Sequence, residues 1–167
     1  VVSTNSYTSM FTTGNNANNT TISNTEFNGG YYGVRFYGLS SSIPNNINNK
    51  VENCTFTNLY YYAIYYYYQG EAVIKGNTVN ALRGTFAYGL YSYYGRNGLI
   101  EGNTVVDAPG GYALYMAYEN QTASGPNLRS NILKNSHVAL LMEKAIQRKE
   151  GKLGPHGELI ITTGAHT

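Results

Sequence analysis

Apolar residues recur along the chain in two short patterns that alternate with each other. The first is a hexad with an apolar residue at each end and small or polar residues between them. It occurs as ISNTEF (22–27), VENCTF (51–56), IKGNTV (74–79), IEGNTV (100–105) and LRSNIL (128–133). The second is a small residue followed by an aliphatic one. It occurs as GVRF (33–36), AIYY (63–66), GLYS (89–92), ALYM (113–116) and ALLM (139–142). This spacing predicts one structural unit repeated about every 25 residues.

A repeat of this length has no room for crossover helices, because each connection between apolar segments is a short Asn- and Gly-rich turn. A coil of short parallel strands, each turn stacked on the last, lets every repeat bury its apolar side chains against its neighbours. The sequence therefore predicts an all-β fold, a parallel β-helix (solenoid) of about five coils over residues 1–142.

The hexads with Asn after the aliphatic residue, followed about a dozen residues later by a small residue and an aliphatic one, resemble the right-handed parallel β-helix repeat family. The resemblance covers about residues 18–142. Pectate lyases, polygalacturonases, alginate-modifying enzymes and many bacterial surface proteins belong to this group. It implies a right-handed coil and a secreted or cell-surface protein, but not one activity. The start of the chain, VVSTNSYTSM, carries no signal-peptide pattern.

Three asparagines, Asn77, Asn103 and Asn131, occupy the same position in consecutive hexads. Asparagine tolerates the left-handed backbone conformation of tight turns and can hydrogen-bond backbone groups of an adjacent coil. We expect these side chains to stack as a ladder with a structural role.

The tyrosines, concentrated in LYYYAIYYYYQG (59–70), fall into columns when strand alternation is applied to the second pattern. If Val34, Ile64, Leu90, Leu114 and Leu140 face inward, one outward column is Arg35, Tyr65, Tyr91, Tyr115 and Leu141. The next is Tyr37, Tyr67, Tyr93, Ala117 and Glu143. Two interpretations stay open: ladders that stiffen the sheet, or a ligand-binding face for sugar rings or a partner. The predicted ligand-binding residues are Tyr37, Tyr65, Tyr67, Tyr91, Tyr93 and Tyr115.

Charge and composition narrow the function classes. Only 12% of residues are charged and the formal net charge is +2, so no nucleic-acid partner is predicted. No apolar stretch is long enough to span a membrane. The single cysteine excludes an intrachain disulfide, and the three histidines lack metal-ligand spacing, so neither metal nor cofactor is predicted. The expected partners are a polysaccharide or glycan, a second copy, or further coils of a longer β-helix.

Catalytic residues are hard to find in this chain. A β-helix glycosidase needs a pair of carboxylates, and pectate-lyase-like chemistry needs an acidic Ca²⁺ cluster, but Asp107 is the only aspartate. Glu101, Asp107 and Arg96 are the remaining candidates. A non-catalytic binding or adhesive module is therefore the first interpretation, and a polysaccharide lyase or glycoside hydrolase is the alternative.

The composition changes at residues 143–167, which contain no Tyr or Asn. The pattern of Leu141, Met142, Ala145 and Ile146 predicts a short amphipathic helix ending at Gly151, followed by a strand at ELIIT. We hypothesise that this helix covers the open end of the solenoid.

From about Leu141, the tail resembles an N-terminal segment of ATP-dependent phosphoenolpyruvate carboxykinase, with R-x-E-G-x-L followed by G-x-L-[VI]-[VI]-x-T-G-x-x-T. The matching residues are Arg148, Glu150, Gly151, Leu153, Gly157, Leu159, Ile160, Ile161, Thr163, Gly164 and Thr167. The phosphate loop, metal ligands and catalytic lysines of that family are missing from this chain, so the resemblance does not imply its activity.

Overall fold

The computed structural model describes residues 8–39, 46–117, 127–134, 136–143, 151–153 and 159–161. Within these ranges all regular structure is β-strand. The strands in chain order are β1 (Ser9–Thr13), β2 (Thr21–Ser23), β3 (Glu26–Asn28), β4 (Tyr32–Tyr37), β5 (Lys50–Glu52), β6 (Thr55–Thr57), β7 (Tyr62–Tyr67), β8 (Val73–Lys75), β9 (Thr78–Asn80), β10 (Tyr88–Tyr93), β11 (Leu99–Glu101), β12 (Thr104–Val105), β13 (Ala108–Ala117), β14 (Asn127–Arg129), β15 (Asn131–Leu133), β16 (Ser136–Glu143), β17 (Gly151–Leu153) and β18 (Leu159–Ile161).

The strands stack into three sheets that form the walls of a solenoid. Sheet A has the order β1-β4-β7-β10-β13-β16, and sheet B has the order β14-β11-β8-β5-β2. Sheet C runs β17-β18-β15-β12-β9-β6-β3. Every pairing among β1 to β16 is parallel, and each joins strands of neighbouring repeats. The predicted all-β parallel solenoid is confirmed.

Each repeat contributes three strands rather than the two that its apolar segments indicate. The hexad forms two short strands, in sheets B and C, because its third residue turns the chain with a positive φ. These residues are Asn24 (51°), Asn53 (53°), Gly76 (64°), Gly102 (63°) and Ser130 (51°). Asparagine and glycine adopt this left-handed conformation at low cost, so the corner between the two sheets is set by the hexad itself.

The core lies between the three sheets and follows the predicted inward positions. Val34, Ile64, Leu90 and Leu114 are fully buried, and Leu140 packs partly buried against them. The second predicted inward column is also buried at Phe36, Tyr66, Ser92 and Met116. The glycine before Leu90 is required by close packing, because a Cβ at Gly89 would lie 2.5 Å from Val105 Cγ1 and 2.6 Å from the Ala113 carbonyl oxygen.

The predicted asparagine ladder is present and fully buried. The Asn103 side-chain amide donates to Asn131 Oδ1 at 2.9 Å and to the Ile74 carbonyl at 2.9 Å. Its Oδ1 accepts from the backbone N–H of Asn77 at 2.9 Å and from the Asn77 amide at 3.0 Å. The ladder residues themselves do not take the left-handed conformation; the residue before each of them does. This placement frees the asparagine side chain to point inward and bond the coils on both sides.

The tail differs from the predicted helix where the structure describes it. Leu141 and Met142 do not begin a helix, because the backbone ladder of β16 with β13 continues through them to Glu143. Residues 144–150 of the predicted helix lie outside the described ranges. The strand predicted at ELIIT is present as β18, which runs antiparallel to both β15 and β17. In the described part of the chain, the β15 edge of sheet C is thus covered by a strand.

Candidate functional site: the tyrosine face

Sheet A carries three columns of tyrosines on its outer surface. The middle column is Arg35, Tyr65, Tyr91 and Tyr115, and a flanking column is Tyr37, Tyr67 and Tyr93; both were predicted. The outward position predicted for Ala117 in that flanking column is wrong, because Met116 and Ala117 are both buried at the end of β13. The third column is Tyr32, Tyr62, Tyr88 and Tyr112. We call these ten tyrosines and Arg35 the tyrosine face.

From the sequence, Tyr62, Tyr88 and Tyr112 were expected near the strand ends, where they could extend the face. They were not assigned to a column, because strict alternation fails near the start of each strand. Gly33 and Val34 are both buried, so the phase of the strand shifts between Tyr32 and Arg35 and both side chains come to the outer surface. The same burial pattern recurs in β7 and β10. A signal was present in the sequence, since tyrosine precedes the small residue in four repeats (Tyr32, Tyr62, Tyr88 and Tyr112).

Rings within each column stack nearly parallel from coil to coil. In the middle column the ring centroids of Tyr65 and Tyr91 are 4.9 Å apart, and those of Tyr91 and Tyr115 are 5.0 Å apart, with interplanar angles of 3° for both pairs. The third column repeats this geometry at 5.0 Å between Tyr62 and Tyr88. This spacing follows from the distance of about 4.8 Å between neighbouring strands.

Rings of neighbouring columns make edge-to-face contacts with each other. Tyr62 meets Tyr65 at 5.0 Å and 77°, and it meets Tyr91 at 5.2 Å and 79°. Tyr88 contacts Tyr91 and Tyr115 in the same way. Both faces of an interior ring such as Tyr91 are therefore covered by other rings, and its outer edge and hydroxyl are what remain for solvent or a partner.

Three phenols at the centre of this face, those of Tyr62, Tyr65 and Tyr91, are held in their neutral form. Burial raises the pKa of Tyr62, Tyr65 and Tyr91 well above the ordinary value of 10.0, and neighbouring tyrosines raise it further. Burial likewise raises the pKa of Tyr68, beside the face, to about 12. The face thus offers uncharged hydroxyls that both donate and accept hydrogen bonds, not phenolate bases.

Arg35 occupies the position of a tyrosine at one end of the middle column. Its guanidinium carbon lies 4.6 Å from the Tyr37 ring centroid, 5.4 Å from that of Tyr32 and 5.9 Å from that of Tyr65. These distances fit cation–π contacts. Its Nε is buried and has no hydrogen-bond partner among the residues that the structure describes.

The three candidate catalytic residues lie on different parts of the same coil. Glu101 is on sheet B, and its carboxylate is paired with Lys75 Nζ at 3.1 Å. Arg96 lies in the turn that follows β10, beside a small hollow lined also by Tyr66 and Ser92. Asp107 is exposed in the turn before β13 and has a positive φ of 56°. The turns of Arg96 and Asp107 lie at opposite ends of the strands of sheet A, roughly 20 Å apart for six extended residues.

Metal-binding geometry is not found in the described ranges, where no group of three or more His, Cys, Asp or Glu side chains converges. Cys54 is buried at the hexad position that Asn77 takes in the next coil, and burial raises the pKa of its thiol. Among the residues that the structure describes, no helix is long and apolar enough to cross a membrane.

Parallel strands of successive coils form three sheets, which defines the protein as a β-solenoid. The outer surface of sheet A is aromatic. A scan against protein-family models matches the right-handed β-helix region over residues 1–135. The chain therefore belongs to the right-handed β-helix family. No curated protein and no solved structure matches it. The family match ends before the tail, so the carboxykinase resemblance of residues 141–167 stays a prediction.

Proposed function

We propose that this chain is a non-catalytic β-helix module that binds carbohydrate through the tyrosine face, in a secreted or cell-surface protein. The observation that carries the proposal is the ordered array itself: ten tyrosines in three interlocked columns on one sheet surface. At its centre, Tyr62, Tyr65 and Tyr91 have a raised pKa and keep neutral phenols. The location rests on the family's frequent extracellular use.

The array suits carbohydrate because it presents ring edges and hydroxyls in regular rows. Stacked rings do not offer their faces as platforms for single sugars, so binding relies on ring edges and hydroxyls repeated at about 5 Å from coil to coil. Polysaccharides present repeated hydroxyls and weakly apolar patches, which match such an edge surface. Tyrosine also loses little conformational entropy on binding, and here the rings are already fixed by their neighbours.

Two phenols of the middle column, Tyr65 and Tyr91, can use their hydroxyls for this binding. Within the described residues, the Tyr65 and Tyr91 hydroxyls make no hydrogen bond to the protein. Both rings are nevertheless half-buried and rigidly stacked. A donor and acceptor on a preorganised ring is a typical element of a binding surface.

The test is a panel of soluble and insoluble polysaccharides, scored in the same incubation for retained protein and for newly formed sugar ends. We expect retention without new ends. The double variant Tyr65→Ala with Tyr91→Ala should weaken retention by at least about tenfold, since central aromatic contacts commonly contribute more than 1 kcal/mol each.

Phe86→Ala is the matched control, because Phe86 is 63% exposed and lies outside the tyrosine face. It should leave retention unchanged. Release of new sugar ends would overturn the non-catalytic assignment in favour of a lyase or glycoside hydrolase. Retention that the double variant leaves intact would remove the tyrosine face as the binding surface. If no polysaccharide retains the protein, the columns act as architecture alone.

A further inference from the structure

Arg35 is the one charged residue in the three columns of the tyrosine face over strands β4, β7, β10 and β13. The remaining members of the face are neutral tyrosines. Arg35 is half-buried. On the side away from Tyr65, its register partner is Thr12 of β1. A positive charge therefore stands at one end of an otherwise uncharged surface.

Arg35 has aromatic partners but no anionic one in the described part of the chain. Three rings lie within 5.9 Å of its guanidinium carbon, and no carboxylate forms an ion pair with it there. None of its nitrogens donates a hydrogen bond to a described residue, and the buried Nε is left without a partner. Buried or half-buried arginines normally satisfy these donors, because an unpaired one carries a desolvation penalty.

The surrounding rings favour an anion at this place. They fix the planar guanidinium, so little side-chain entropy is lost when it forms a paired hydrogen bond with an oxyanion. They also exclude water from one side of the group, which strengthens its attraction for negative charge. Burial raises the pKa of the Tyr32 and Tyr65 phenols, so these two neighbours stay protonated and add no competing negative charge.

We propose that Arg35 is an anion subsite of the tyrosine face and that the ligand is a glycan carrying oxyanion groups, either sulfate esters or carboxylates. This inference rests on the proposed carbohydrate binding and names the charge class of the ligand. The sugar chain lies along the tyrosine columns, and one of its oxyanions pairs with the terminal nitrogens of Arg35.

The experiment compares dextran, dextran sulfate and carboxymethyl dextran by affinity electrophoresis at low ionic strength. The three polymers share a backbone and differ in charge, so they separate sulfate from carboxylate as the source of the oxyanion. We expect the unmodified protein to be retarded more by one or both charged polymers than by dextran. Arg35→Gln should reduce that preference about tenfold, the usual effect of losing one charge-assisted hydrogen bond.

Arg129→Gln is the matched control, since Arg129 is exposed on sheet B and its loss changes net charge equally. It should keep the preference. Arg35→Lys keeps the charge but lacks the planar guanidinium. Its preference for the charged polymers should lie between those of Arg35→Gln and Arg129→Gln. Thermal unfolding of each variant shows whether the fold is intact.

Equal losses in Arg35→Gln and Arg129→Gln would overturn the subsite in favour of general charge attraction. Equal retardation by all three polymers, or none, would overturn it as well. Retention on the wider polysaccharide panel that depends on Tyr65 and Tyr91 would leave the proposed function standing even then. The two failures are therefore distinguishable.

Discussion

The asparagine ladder inside the hexad corner and the tyrosine columns outside sheet A are built by the same device. In both, one side-chain type repeats at one position of consecutive coils and stacks at the strand spacing. They differ in what they leave unsatisfied. Every amide of the inner ladder has partners in the protein, whereas the Tyr65 and Tyr91 hydroxyls have none among the described residues. The inner ladder is thus complete within the fold, whereas the Tyr65 and Tyr91 hydroxyls are the groups that the proposed carbohydrate binding would use.

Alkaline pH should produce the largest effect, and it acts on the outer columns. In the unfolded chain tyrosine loses its proton near pH 10, while burial keeps Tyr62, Tyr65 and Tyr91 protonated to higher pH in the folded protein. The folded state then binds more protons, so the free energy of unfolding falls as pH rises above about 10. Below that pH this contribution is fully present.

We therefore expect unfolding and tyrosine ionisation to coincide in a cooperative alkaline transition, followed by circular dichroism and tyrosinate absorbance. Tyr91→Phe should shift the transition to higher pH. Ionisation of most tyrosines near pH 10 with the fold unchanged would show that the columns do not hold their phenols neutral.

Asn103→Leu should produce the next largest effect, on the inner ladder. Leucine has a similar size but leaves the Asn77 backbone N–H and the Ile74 carbonyl without the partner that Asn103 supplies. It also removes one of the two hydrogen bonds of the Asn77 amide, which keeps its bond to the Val51 carbonyl. At about 1–3 kcal/mol for each buried unsatisfied group, partly relieved by relaxation, we expect a loss of about 3–5 kcal/mol in the free energy of unfolding. Urea denaturation measures it.

Asn28→Ala is the matched control for this substitution. Asn28 is exposed, and among the described residues the one hydrogen bond of its side chain is accepted from the Asn58 amide. Its replacement should change stability by about 0.5 kcal/mol or less. Equal losses for the two variants would mean that the ladder contributes no more than a surface asparagine.

Much of this contrast could be predicted from the sequence. The features that could not be predicted have identifiable physical reasons. Residue spacing was enough to predict the coil, the buried columns of Val34 and Phe36, and the outward columns of Tyr65 and Tyr67. The column of Tyr32 and Tyr62 was not predictable from strict alternation, because two consecutive residues are buried in each of these strands, Gly33 with Val34 and Ala63 with Ile64.

Side-chain environment was the other limit of sequence reasoning. Alternation places Arg35 in a column, but it does not show that three rings hold the guanidinium or that Nε lacks a partner. Similarly, Glu101, Asp107 and Arg96 are near one another in sequence. Their separation on the coil depends on where the three sheets turn, which the hexad pattern alone had not revealed.

Tyr91→Ala should destabilise the protein less than Asn103→Leu does. The substitution removes the coil-to-coil stacking of Tyr91 on Tyr65 and Tyr115. It also removes the edge contacts of this ring with Tyr62 and Tyr88. An aromatic pair contributes about 0.5–1.5 kcal/mol, but water fills the vacated site on this outer surface. We expect a loss of about 1–3 kcal/mol by urea denaturation. A loss equal to that of Asn103→Leu would mean that the outer columns support the fold as strongly as the inner ladder.

Tyr91→Phe should have the smallest effect on stability, and it separates the two ladders most sharply. The ring keeps its stacking on Tyr65 and Tyr115, and the hydroxyl that is removed has no partner among the described residues. The free energy of unfolding near pH 7 should therefore change by about 0.5 kcal/mol or less. If the face binds carbohydrate through its hydroxyls, the same variant with Tyr65→Phe weakens polysaccharide retention while leaving unfolding unchanged. Retention equal to that of the unmodified protein would assign binding to the ring edges, and the hydroxyls would then serve neither fold nor ligand.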